Sequence, residues 1–230
     1  MKPSLGMDFA LVAGAYLLGS ISWSYLLVWL LKGRDVRTVG SGNAGATNAM
    51  RAAGKGTGAA VLLLDMGKGV AAIEVARALA APPPVVGAAA VAVVLGHVYP
   101  VFFGFRGGKG VATSAGAMGA LAPLALALTL AVFLLVVLWK RYISLGSVVA
   151  GATFPAMVLL GQRLGWERGP ADGAPWTLLA AVTLGLVIVG KHLPNLHRIA
   201  AGTEPRIGER RPTPPASPTT PAIDASEHAD

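Results

Sequence analysis

The sequence predicts an all-α integral membrane protein. It should be a bundle of about seven transmembrane helices, one of them short or re-entrant, with the N-terminus outside and the C-terminus in the cytoplasm. Three observations lead there. Hydrophobic residues make up 54% of the 230 and charged residues 13%, with a mean hydropathy of +0.62, far more apolar material than one soluble core of this length uses. The apolar residues are gathered into runs close to the roughly 20 that a helix needs to cross hydrocarbon. The lysines and arginines, which leave a net charge of +8, are confined to short segments between those runs. That pattern reports membrane orientation before it reports nucleic acid.

The first run, Met7–Leu31, is longer than a signal-peptide core and has no small-residue cleavage pattern ahead of the basic loop, so it reads as a retained helix. A second helix over about 58–80 carries Asp65, Lys68, Glu74 and Arg77 in an Ala/Val/Leu background. Charges at that depth face the bundle or pair with one another. Asp65 and Lys68 are three apart, as are Glu74 and Arg77, so each pair is able to meet on the helix surface. For Asp65 and Lys68 two readings stand side by side, structural pairing and a part in a binding site.

Val85–Gly104 forms the third helix. The positive-inside rule places four basic segments in the cytoplasm: Lys32 to Lys55, Arg106 with Lys109, Lys140 with Arg141, and Lys191 to Arg211. A single helix through Gly110–Leu138 would put Lys109 and Lys140 on opposite sides, so that run must turn back, with Pro123 as the break. A short or re-entrant helix over about 110–121 and a full span over about 124–139 result, tolerable where protein buries the break. Tyr142–Gly161 and Trp176–Gly190 complete the seven, and glycines such as Gly14, Gly19, Gly146 and Gly151 allow close helix approach. The transmembrane domain spans 1–211, and the Pro/Thr/Ser-rich segment 212–230 reads as a disordered cytoplasmic tail. With no cysteine, disulfides, thiolate metal sites and a thiol nucleophile are excluded.

Two glycine-rich loops carry the chemistry. Gly40-Ser41-Gly42-Asn43-Ala44-Gly45 fits a dinucleotide fingerprint in letters, but it follows a polar stretch rather than a buried strand, and the next element is a membrane helix. Gly107-Gly108-Lys109-Gly110 is no Walker A loop, since Phe103 stands where its first glycine belongs and Gly110 where Ser or Thr belongs. A generic phosphate cradle remains, with Ser41, Asn43, Thr47 and Asn48 as donors and Arg51 as cation; a Gly/Asn turn loop is the alternative. The second loop sets Lys109 among glycines at the start of a helix, where free N–H groups and the dipole favour an anion. His97 ends the preceding span and either orients the loop or acts as an acid or base. Arg141 to Ser147, containing Ser144, and Lys191 to Arg198, containing His192 and Asn195, fall on the same face. No Ser-His-Asp set and no metal cluster is present, so neither metal nor cofactor is expected.

Taken together these motifs resemble one family. Ser41-Gly42-Asn43-x-Gly45-Ala46-Thr47-Asn48 with Arg51, then Gly96-His97-x-x-Pro100 with Gly107-Gly108-Lys109-Gly110, then His192-x-x-Asn195 with Arg198 and Glu204, are similar to the three cytoplasmic motifs of bacterial acyl-phosphate:glycerol-3-phosphate acyltransferases (PlsY). The likeness covers nearly all of 8–208, with Ala44 where the family commonly has Pro. It implies transfer of a fatty acyl group from acyl phosphate to the sn-1 hydroxyl of glycerol 3-phosphate in the bacterial plasma (inner) membrane, giving lysophosphatidic acid and inorganic phosphate. Carried over by motif, Ser41, Arg51 and Lys109 bind substrate phosphate, Gly42, Asn43, Gly107 and Gly108 shape the anion sites, and His192 and Asn195 orient the glycerol hydroxyls. Thr47, Asn48, Lys68 and Ser144 are further candidate contacts, and Glu204 holds the tail segment by pairing with a basic group. The proton acceptor stays open among His97, His192 and a substrate phosphate oxygen. Membrane lipid, and a soluble enzyme that supplies acyl phosphate, are the implied partners; nucleic acid is not. An anion or phosphate-ester transporter is the rival reading, against which stand the crowding of polar groups on one side and the absence of repeated halves.

Overall fold

In the structure, a computed structural model that describes residues 4–166 and 173–209, nine α-helices follow one another among the described residues with no strand. They are α1 (Leu5–Gly19), α2 (Trp23–Lys32), α3 (Ala46–Ala53), α4 (Lys55–Ala78), α5 (Pro83–Val98), α6 (Val111–Leu121), α7 (Pro123–Lys140), α8 (Ile143–Arg163) and α9 (Ala174–Ala200). Among the described residues, five stretches are long and apolar enough to cross a membrane: Leu5–Lys32, Pro83–Phe103, Pro123–Lys140, Ile143–Arg163 and Ala174–Ala200. The chain turns large apolar side chains outward, with Leu138 and Trp139 each 77% exposed on α7, as a lipid-facing surface requires. The tail 212–230 lies outside the described residues.

The break at Pro123 falls where the sequence places it, because Pro fits the first turn of α7 and cannot continue α6. Three expectations need correction. The run Met7–Leu31 is two helices, since the chain leaves the helix at Ser20–Ser22 and the carbonyls of Gly19 and Ile21 accept hydrogen bonds from Lys68 of α4 instead. A helix end stabilised by a side chain from another helix leaves no trace in local sequence. The last helix runs past Gly190 to Ala200, through Pro194, so His192 and Asn195 lie one turn apart on a helix. A short helix, α3, carries Thr47, Asn48 and Arg51 within what reads as loop.

Close backbone approach holds the bundle together. On α4 and α6, a Cβ at Gly69 would collide with Thr113 O and one at Gly116 with Met66 O; on α1 and α5, one at Gly19 would collide with Val93 O and one at Gly96 with Tyr16 O. Gly14, by contrast, faces open space, where an added Cβ would meet nothing. Both predicted ion pairs form. Glu74–Arg77 is exposed at 2.8 Å and contributes little, whereas Asp65–Lys68 is buried at 2.8 Å.

Candidate active site

The first glycine loop is built around one buried amide. Asn48 Nδ2 donates to Val36 O (2.8 Å) and Val39 O (2.9 Å), while Oδ1 accepts from the Ser41 N–H (3.0 Å). Asn48 therefore braces the loop and has no donor left for a ligand, a correction to its place among the substrate contacts. Gly40 at φ +60° and Gly42 at φ +70° take the left-handed turns that let Ser41 and Gly42 stand exposed. Asn43 and Thr47 lie half-buried beside them.

The second loop departs from the expected cradle. The N–H groups of Gly107 and Gly108 donate to Val98 O (3.2 Å) and His97 O (3.1 Å), so they tie the loop to the end of α5 rather than pointing at an anion. Glycine is needed there for space. A Cβ on Gly107 would collide with His97 O, and one on Gly108 with His97 Nε2, and would stand 2.8 Å from Ala44 O of the first loop. The two glycine loops are thus in contact. Beside them two open clefts, of about 520 and 360 Å³, share Arg37 and Arg106; the smaller reaches Gly42 and Gly107. The larger is otherwise lined by Tyr25, Phe102, Phe103 and Gly104, the smaller by Asp35, Thr38 and the two glycines, and neither has an aliphatic lining that suits an acyl chain.

Lys109 leaves the loop toward α9, where its Nζ donates to Asn195 Oδ1 (2.5 Å). Asn195 Nδ2 in turn donates to Glu204 Oε1 (2.7 Å), which also accepts from Ser144 Oγ (2.8 Å), and Arg198 Nε donates to Glu204 Oε2 (2.8 Å). Burial pushes the Glu204 carboxyl up, but the hydrogen bonds from Asn195, Ser144 and Arg198 outweigh it and hold it below the usual carboxylate range. Burial pushes Lys109 down to about 8; the Glu204 charge opposes this, and the positive charges of Arg198, Arg51 and Lys191 add to it. Cations of the first and third motifs thus act on the lysine of the second. His192, 3% exposed, donates its Nδ1–H to Ile188 O (2.8 Å), which leaves Nε2 as an acceptor, and it feels the charges of Lys109 and Glu204. Ser144 braces Glu204. Lys68 does not join this cluster, because its Nζ is held by Gly19 O, Ile21 O, Asp65 and His97. No group of three or more metal-ligating side chains occurs among the described residues.

A family model described as glycerol-3-phosphate acyltransferase matches residues 9–202. The chain belongs to the glycerol-3-phosphate acyltransferase family. Glycerol-3-phosphate acyltransferase 2 of Moorella thermoacetica is 46% identical over 196 residues, 85% of this chain and 95% of the relative. The glycerol-3-phosphate acyltransferase of Vibrio vulnificus is 44% identical over 206 residues, 88% and 94%. The fold is similar to crystal structures of PlsY, an integral membrane glycerol 3-phosphate acyltransferase. Its glycerol 3-phosphate form aligns with TM-score 0.77 and 40% identity over 87% of this chain and 96% of that one. Its lysophosphatidic acid form aligns with TM-score 0.74 and 38% identity over 87% and 95%.

Within this acyltransferase fold, sequence reading missed the convergence of Asp65 and Lys68 on His97. Their spacing on an apolar helix announces the pair, but nothing local announces the third member. It also missed the Arg37 anchor, whose guanidinium is held by Asp35 (2.7 Å) and donates to Phe103 O (2.9 Å), tying the segment before the first loop to the turn before the second.

Proposed function

We propose that this acyltransferase moves a fatty acyl group from an acyl phosphate to the sn-1 hydroxyl of glycerol 3-phosphate, releasing lysophosphatidic acid and inorganic phosphate at the cytoplasmic face of the bacterial plasma membrane. The observation that carries the reading is the Lys109–Asn195–Glu204 chain with Arg51, Lys191 and Arg198 around it, a concentrated positive site in a chain 40% identical to a protein crystallised in a glycerol 3-phosphate form. Seven crossings, with α4 and the short α6 counted among them, bring the basic segments to one side, the N-terminus outside and the C-terminus in the cytoplasm.

Arg51 and Lys109 neutralise substrate phosphate, with Ser41, Gly42, Asn43 and Thr47 forming the neighbouring wall and Gly107 and Gly108 fitting the second loop against the first. Asn195, fixed by Glu204, orients the glycerol hydroxyls. His192, with an unprotonated Nε2, is the protein group suited to take the hydroxyl proton; a substrate phosphate oxygen is the other acceptor. An acyl phosphate is already activated, so holding the hydroxyl in line replaces a covalent enzyme nucleophile. The acyl chain lies along the lipid-facing helices, and a soluble enzyme supplies the donor. In lipid nanodiscs, acyl phosphate and glycerol 3-phosphate should give equimolar lysophosphatidic acid and phosphate, with acyl-CoA a poor substitute. Intact acyl phosphate after incubation with folded protein contradicts the reading.

A further inference from the structure

Three ionisable side chains meet inside the bundle behind the second loop: Asp65 and Lys68 of α4, 1% and 4% exposed, and His97 at the end of α5, 6% exposed. Lys68 Nζ has four neighbours, Gly19 O (2.9 Å), Ile21 O (2.8 Å), Asp65 Oδ1 (2.8 Å) and His97 Nδ1 (3.0 Å). An ammonium has three hydrogens. They are directed at the two carbonyls and at Nδ1, while Asp65 Oδ1 pairs by charge without an aligned hydrogen bond. A lysine ammonium cannot accept, and Asp65 Oδ1, 3.4 Å from Nδ1, takes no aligned hydrogen bond from it, so His97 Nδ1 is the acceptor, and a neutral imidazole then carries its hydrogen on Nε2. That nitrogen is the atom a Cβ on Gly108 would strike, so it faces the second glycine loop.

We propose that Lys68, steadied by Asp65, locks His97 in the Nε2–H form, and that this N–H is a fixed donor to an oxygen of the substrate phosphate held beside Lys109. The two buried histidines then have opposite tasks. His192 offers a lone pair at Nε2 because its Nδ1–H is committed to Ile188 O. His97 offers a hydrogen, which removes it from the candidate proton acceptors. Asp65 and Lys68 are positioning residues that act through His97. The anchoring of Lys68 to Gly19 O and Ile21 O fixes the ammonium from the α1–α2 break, so the orientation of His97 depends on three helices at once. The phosphate part of this proposal rests on the acyl-transfer reading; the tautomer does not.

The test is nitrogen-15 NMR of the full chain in nanodiscs with labelled histidine, His97 being assigned among the four histidines by comparison with His97→Gln. His97 should show a protonated Nε2 and a bare Nδ1, and Lys68→Met should abolish that pattern. An Nδ1–H tautomer or a doubly protonated ring in the native chain overturns the proposal, whatever the activity. In kinetics, His97→Asn, whose amide reaches only the Nδ1 position, should raise KM for glycerol 3-phosphate about tenfold more than His97→Gln, whose amide reaches Nε2, the loss of one charge-assisted hydrogen bond. Equal KM values overturn the donor role. Native tautomers without any product formation would instead count against acyl transfer.

Discussion

Gly108→Ala should reduce turnover by at least about 100-fold, the scale of loss expected when a reacting geometry shifts by about 1 Å. The added Cβ has no free direction. It would meet the His97 ring on one side and stand 2.8 Å from Ala44 O on the other, and both neighbours are themselves fixed, His97 by Lys68 and Ala44 in a buried turn braced by Asn48. The loops must separate, which carries Lys109 away from Asn195. Kinetics beside a thermal unfolding curve check this. The unfolding free energy should fall by about 1–3 kcal/mol, as for other overpacked sites, and the folded variant should still be inactive. Native activity would show that the contact between the loops is not needed.

The second large effect belongs to Glu204→Gln. One carboxylate collects hydrogen bonds from Asn195, Ser144 and Arg198 across α9, α8 and the segment that follows α9. Hydrogen bonds to a charged group contribute about 1.5–3 kcal/mol each, so exchanging the carboxylate for an amide should cost about 2 kcal/mol of stability, discounted because Arg198 is 41% exposed. Its functional effect should be larger. A neutral amide offers one acceptor where the carboxylate offers two, so it cannot serve Asn195, Ser144 and Arg198 together; Asn195 loses its fixed orientation toward Lys109, kcat falls and KM for glycerol 3-phosphate rises. A variant that melts like the native chain and turns over at its rate would remove Glu204 from the account.

The helical framework was legible in the sequence wherever a single segment carries its own signal. The Pro123 break, the apolar spans and the charged α4 are of that kind. The split of the first run was not, because the hydrogen bonds that stabilise it come from Lys68, far along the chain. The site shows the same division. Lys109 and Arg51 announce themselves as cations framed by glycine, and Asn195 by its spacing from His192. Asn48 and Lys68 looked like ligands because their chemistry is right for one, yet their polar atoms are committed to the protein. Residue type fixes which bonds are available; only the fold decides which partner takes them.

The central claim is that three separated motifs form one site around Lys109, and its signature is the depressed pKa of that lysine. Burial and the charges of Arg198, Arg51 and Lys191 bring it to about 8, so the cation is present below that pH and lost as pH rises through it. The direct measurement is kcat/KM for glycerol 3-phosphate against pH in the native chain and in Arg51→Gln. The native profile should fall above about pH 8, and Arg51→Gln, with one positive neighbour removed, should be slower throughout and fall at a higher pH. The same midpoint in both proteins, or a flat native profile, would contradict a shared site.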